Sequence, residues 1–198
     1  MKKYTHLARS LIEPMVLEDR GPRVPQEDIV DKDGTVLLEK RAAGFLKPNG
    51  FWYEIDGAWQ KWVEGNTDWM QNYKYVYSVD LSRCNMLRLR TARDVEAFHE
   101  KYSVHPPWRH VFEFPVAKLR HMDDHIDWER IAAEGHDGVE LTQYYYNMLR
   151  LLLLWYNAWD CASGIIWNAS KVVLTYLGEP VRNEQRPEDD DEDRDSEA

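Results

Sequence analysis

The chain has 198 residues, 43% of them hydrophobic, which suits one domain with its own core and excludes a wholly disordered protein. Its net charge of −10 is uneven: Glu188 to Ala198 carries eight acids and one arginine, leaving about −3 for the rest, so no broad basic face for nucleic acid is expected. Two cysteines, Cys84 and Cys161, cannot build a disulfide framework or a zinc site, which points to a reducing, cytoplasmic setting.

Nine Trp and eleven Tyr are a large aromatic endowment. Such rings suit a core, and also a stacking pocket for a flat ligand. The N-terminal MKKYTHLARS has no apolar stretch of the kind a secretory signal needs. The most apolar run, Met148 to Trp159, contains Arg150 and Asn157 and is too short for a membrane span. Two parts are expected: a domain over residues 1–180 and an acidic disordered tail over 181–198. The tail reads first as a solvating appendage and second as a docking peptide for a basic partner.

Residues 1–13 predict a short strand or turn leading to a helix. Residues 14–40 are rich in Pro, Asp and Gly and predict an irregular excursion over the domain. Lys47-Pro48-Asn49-Gly50 reads as a turn and Phe51-Trp52-Tyr53 as a strand. Trp59, Trp62 and Val63 fall at helical spacing within Ala58 to Trp69. Tyr73 to Leu81 alternates and is rich in aromatics and valine, so a strand is expected there, with another at Met86 to Leu89. Thr91 is placed to cap a helix with Val95, Phe98 and Tyr102 on one face. Ile126 to Ala133 predicts a short amphipathic helix with Asp127 or His125 near its start, ended by Gly135. Val139 to Thr142, Ile165 to Trp167 and Val172 to Tyr176 predict strands. Periodicity leaves Leu149 to Trp159 open between a helix and a buried strand pair. Short strands between short helices, without regular βαβ spacing, favour an α+β fold.

Several constellations invite chemistry. His121, His125 and His136 with Asp123, Asp124 and Asp127 suggest a metal site, but no H-E-x-x-H spacing is present and no metal is expected. Ser163-Gly164 lacks the G-x-S-x-G context of a nucleophile, so Ser163 reads as a buried turn-capping serine. Cys161 reads as a small core residue. Asp160, between Trp159 and Cys161, would need a donor if buried and could pin a loop beside a site. No G-x-G-x-x-G or P-loop is present.

Four segments occur in order: Tyr4-Thr5-His6-Leu7, Lys47-Pro48-Asn49-Gly50-Phe51-Trp52-Tyr53, Asp137-Gly138-Val139-Glu140, and Trp155 through Trp167. Together, over roughly residues 4–176, they resemble the ADP-ribosyltransferase-like family of His-Tyr-Glu type, in particular its small phage- and virus-associated members. The resemblance implies a split β-sheet core with short flanking helices, NAD as substrate, and transfer of ADP-ribose to a protein or nucleic acid, of which the near-neutral body and acidic tail favour protein. It implies that His6 anchors a ribose and that Tyr53, or Trp52 beside it, stacks on nicotinamide. Thr5, Lys47 and Gly50 join them as NAD-binding positions, and Glu140 supplies the acidic residue. The family often carries Ser where this chain has Glu54.

The chemistry explains why a carboxylate is needed. Breaking the nicotinamide–ribose bond builds positive charge on the sugar. A carboxylate at ~4 Å, at an effective dielectric of about 20, stabilises that charge by on the order of 4 kcal/mol, roughly a thousandfold in rate. Glu140 is therefore expected to matter for bond cleavage and much less for the fold. Two alternatives stand beside transfer: NAD hydrolysis, and a non-catalytic binding or inhibitor protein that uses its acidic tail.

Overall fold

The computed structural model describes residues 2–12, 17–19, 21–22, 47–64, 72–104, 125–145 and 153–180. Most of the 14–40 excursion, His121, Asp123, Asp124 and the acidic tail lie outside the described residues.

The described elements form a mixed α+β domain dominated by one sheet. In chain order they are β1 (Tyr4–Ala8), β2 (Phe51–Ile55), α1 (Ala58–Glu64), β3 (Tyr75–Asp80), β4 (Met86–Leu89), α2 (Ala92–Tyr102), β5 (Ser103–Val104), β6 (His125–Ile126), α3 (Trp128–Ala133), β7 (Gly138–Leu141), β8 (Ser163–Ile166) and β9 (Val173–Gly178). Single 3₁₀ turns occupy Leu154–Ala158 and Ala169–Lys171. The main sheet has seven strands in the order β4-β7-β8-β2-β1-β3-β9, and β5 and β6 pair separately. Only β4 with β7 is parallel; the other ladders of the main sheet are antiparallel.

Alternation along the strands explains two cores, one on each face. On one face α2 and α3 set Val95, Phe98, Trp128 and Ile131 against Leu89, Val139, Leu141 and Ile165, with Trp155, Tyr156 and Trp159 closing the layer. On the other, Tyr53, Ile55, Tyr77, Val79, Met86, Ile166 and Leu174 pack together. β7 and β8 are buried at every position because both of their faces are covered. Gly138 lets β7 lie close to β8: a Cβ there would collide with the Ile165 carbonyl.

Helix α2 follows its sequence signals closely. Thr91 accepts from the Asp94 N–H, and the Asp94 carboxylate accepts from the Thr91 N–H, closing a capping box. Val95, Phe98 and Tyr102 are its buried face. Thr91→Ala is expected to cost about 1 kcal/mol of stability, read as a lowered urea midpoint at unchanged slope.

Several boundaries differ from expectation. Residues 9–12 after β1 are not helical. Ile126 belongs to β6, and the following helix starts at Trp128 with Asp127 as its cap, accepting from the Arg130 N–H at 2.9 Å. Gly135, at φ 89°, takes the left-handed conformation just past that helix. Within the Leu149 to Trp159 run, Leu154–Ala158 is a 3₁₀ turn, and residues 149–152 lie outside the described residues. Among the described residues no helix is long and apolar enough to cross a membrane.

Candidate functional site

The site forms where β1 and β2 part. The two strands pair only at Tyr4↔Ile55 and Thr5↔Glu54. Beyond that point β1 continues along β3, through His6↔Tyr77 to Ala8↔Tyr75, while β2 continues along β8, through Tyr53↔Gly164 to Phe51↔Ile166. The His6 ring spans the gap. Its Nδ1 lies 2.7 Å from the Trp52 carbonyl oxygen, which can only accept, so Nδ1 carries the proton. Burial holds the His6 pKa below its ordinary value, against the opposing effect of that hydrogen bond. His6 is therefore neutral near pH 7, and its Nε2 is an acceptor.

A cavity of about 190 Å³ lies at the parting. Thr5, His6 and Leu7 of β1 and Trp52, Tyr53 and Glu54 of β2 line it. Lys47, Trp59 and Tyr73 contribute from flanking segments, and Trp159, Asp160, Cys161 and Ser163 from the approach to β8. Its volume is below the roughly 300 Å³ at which pockets for whole drug-sized ligands begin. It is therefore a receptacle for one ring-sized group.

Glu54 is only 4% exposed, and both carboxylate oxygens are engaged. Oε1 accepts from Thr5 Oγ1 at 2.8 Å, and Oε2 from the Gln60 N–H at 2.9 Å in the first turn of α1. The residue that departs from the family pattern thus ties β1, β2 and α1 together at the cavity wall. Cys161 is buried, and burial pushes its thiol up to about 12, which suits a packing residue rather than a nucleophile. Ser163 donates to the Cys161 carbonyl at 3.0 Å.

Of the residues that the resemblance pointed to, Thr5, His6, Lys47, Trp52 and Tyr53 converge on this cavity. Gly50 does not line it; it lets the chain pass against the Ile166 carbonyl, which a Cβ would strike. Glu140 does not line it either. Expected as an open carboxylate at the working site, it has no exposed surface. It lies opposite Arg88 on β4 and Gly164 on β8, on the sheet face that Tyr53 occupies. Much of the cavity wall, including Trp52 and Glu54, alternates onto the other face.

The partners of Glu140 are protein groups. Tyr53 Oη donates to Oε2 at 2.7 Å, and Arg88 Nε stands 3.6 Å from Oε1. Burial, reinforced by the Glu140 charge and this hydrogen bond, raises the Tyr53 pKa well above its ordinary value, so Tyr53 stays a donor. Tyr4 packs edge-on against Tyr53 at 5.6 Å. The Tyr53 ring lies over Gly164, where a Cβ would collide with it. Tyr53 thus belongs to both the cavity wall and the buried carboxylate, and Glu140 meets the cavity only through it.

Asp137 is also structural. Lys171 Nζ reaches its two oxygens at 2.7 and 2.8 Å, Asn168 Nδ2 donates to one at 2.7 Å and the Asn85 N–H to the other at 2.8 Å. Sequence reading missed these partners because they lie 31 to 52 positions away. It also missed Arg88 and Trp59 as neighbours of the site; no local pattern marks them. Among the described residues no group of three or more His, Cys, Asp or Glu side chains is arranged to hold a metal.

Set against known proteins, the chain matches no family model, and no curated protein or solved structure is significantly similar to it.

Proposed function

We propose that the domain binds NAD at the parting of β1 and β2 and cleaves its nicotinamide–ribose bond, passing ADP-ribose to a macromolecular acceptor. One observation carries this reading. Thr5 and His6 from one segment, and Lys47, Trp52 and Tyr53 from a second about forty residues on, line one ring-sized cavity. The ring that fits there is nicotinamide, with the ribose and phosphates running out along the cleft.

The roles follow from chemistry. Neutral His6 offers an acceptor to a ribose hydroxyl. Trp52 supplies aromatic surface for a flat ring at little entropic cost, while the Tyr53 ring, held over Gly164 and bonded to Glu140, backs the wall. Asp160 and Glu54 are the carboxylates in the wall, and a carboxylate there opposes charge building on the sugar. Glu140 acts as a positioning residue that fixes Tyr53. The acceptor is a protein rather than a nucleic acid, since the chain has no excess of positive charge. The enclosure of Glu140 favours a second reading as well, an NAD-binding domain without turnover.

The experiment is to incubate the full chain with NAD and a cell lysate, follow free nicotinamide, and search the lysate by mass spectrometry for added ADP-ribose. Transfer predicts both nicotinamide and modified protein, and a loss of both in Asp160→Asn. Nicotinamide without a modified acceptor indicates hydrolysis. Binding of NAD with neither product selects the non-catalytic reading, and absence of binding sinks all three.

A further inference from the structure

The cavity is already occupied at one end by a positive charge. Lys47 Nζ lies 4.5 Å from the centroid of the Trp52 ring, within the range of a cation–π contact. Trp159 meets Trp52 edge-on at 4.9 Å, and the next residue, Asp160, lines the same cavity as Lys47. Two indoles and a carboxylate around a small volume are the elements from which proteins build receptors for organic cations. We propose that the Trp52–Asp160 end of the cavity is a cation site, filled by the Lys47 ammonium in the free protein and by a flat organic cation, the pyridinium ring of NAD, when that substrate binds. The identity of the cation rests on the NAD reading above; the site itself rests on the geometry.

Three further observations fit. Lys47 stands in the turn before β2, which begins at Phe51, so its side chain can withdraw without breaking a strand pair. Lys47 as a residue is exposed, while loss of solvent around its ammonium pulls the pKa down and the Asp160 charge opposes that pull. The cavity is ring-sized while Lys47 is in it, and withdrawal of that side chain would enlarge it toward what a substituted ring needs. Lys47 then acts as a competitor of the substrate's cationic end. This differs from the anchoring role that the sequence resemblance implies for it.

The test uses two probes of nearly the same shape, 1-methylnicotinamide, which is a cation, and nicotinamide, which is neutral. Each is titrated into the full chain by calorimetry and by tryptophan fluorescence. The site predicts that wild type binds the cation more tightly than the neutral ring. It predicts that Lys47→Met, which keeps the length and removes the charge, tightens cation binding by roughly tenfold. Asp160→Asn should weaken the cation by a similar factor and leave the neutral ring nearly unchanged, with thermal melting checking that it folds. Weaker cation binding in Lys47→Met would overturn the proposal, because Lys47 would then be a ligand anchor. Equal affinity of wild type for the two probes, or no binding of the cation to wild type and Lys47→Met, would overturn it too. A cation preference of the predicted kind in a protein that neither binds nor cleaves NAD would leave the site standing and remove the NAD reading. NAD binding that neither substitution changes would do the reverse.

Discussion

Asp137→Ala is expected to lower folding stability by about 2–4 kcal/mol, from the Asn85 and Asn168 donors left without their charged acceptor, since Lys171 keeps access to water. The Asp137 side chain is 3% exposed and receives Lys171, Asn168 and the Asn85 N–H. Its backbone is engaged as well: Asp137 N donates to Asn85 O at 2.9 Å, and Trp167 N donates to Asp137 O at 3.0 Å. The residue therefore joins the start of β7 to the segment before β4 and to the chain leaving β8. Removing the carboxylate leaves the Asn85 N–H and the Asn168 amide without their acceptor. For a chain of this length the melting temperature should fall by about 10 °C, at roughly 2–4 °C per kcal/mol.

The same site gives a pH signature. Burial works to raise the Asp137 pKa, but hydrogen bonds from Lys171, Asn168 and Asn85 outweigh it and hold the pKa below the ordinary value. A depressed folded-state pKa adds stability above the unfolded value, near 3.9, and loses it as pH falls through the folded value. The gap between wild type and Asp137→Ala should therefore be constant from about pH 6 to 8 and narrow below about pH 4. A gap that stays constant down to pH 3 would show that the charge contributes nothing to it.

Tyr53→Phe is the second large effect. It removes the 2.7 Å donor of a carboxylate with no exposed surface and leaves Glu140 only Arg88, at 3.6 Å. The expected loss is about 2–4 kcal/mol, because the desolvation cost of the carboxylate remains while its hydrogen bond is gone. Glu140→Gln should cost less than Tyr53→Phe, since the amide oxygen can still accept from Tyr53 and a neutral group is easier to bury. Urea unfolding at unchanged slope measures both. If Tyr53→Phe unfolds at the wild-type midpoint, the pair is not holding the sheet. A raised cost in both variants would overturn the sequence expectation that Glu140 matters little for the fold.

The buried Tyr53–Glu140 pair marks the limit of what the sequence made legible. Local signals were legible. Thr91 with Asp94 announced α2, and the alternation of Tyr75–Asp80 announced β3, because capping and pleat alternation act over a few residues. Thr5, His6, Lys47, Trp52 and Tyr53, from two of the four resembling segments, line one cavity. What could not be read was side-chain direction relative to the cavity. Glu140 and Val139 differ by one position, yet one faces Tyr53 and the other the helical core. The choice depends on the register of β7 against β8, which no local pattern states. Asp160 could be suspected as a loop pin, but its place in the cavity wall depends on β8 lying beside β2. The Leu154–Ala158 turn was ambiguous because adjacent Trp155 and Tyr156 are both fully buried and leave no period to read.

Calorimetric titration of NAD into the full chain tests the central claim most directly, beside the same titration of Trp52→Ala and His6→Ala. The cavity at the parting of β1 and β2 predicts saturable, single-site binding to the wild-type chain, weakened at least about tenfold by either substitution in protein that still melts cooperatively. No saturable heat with millimolar NAD, or binding that both substitutions leave intact, would contradict it.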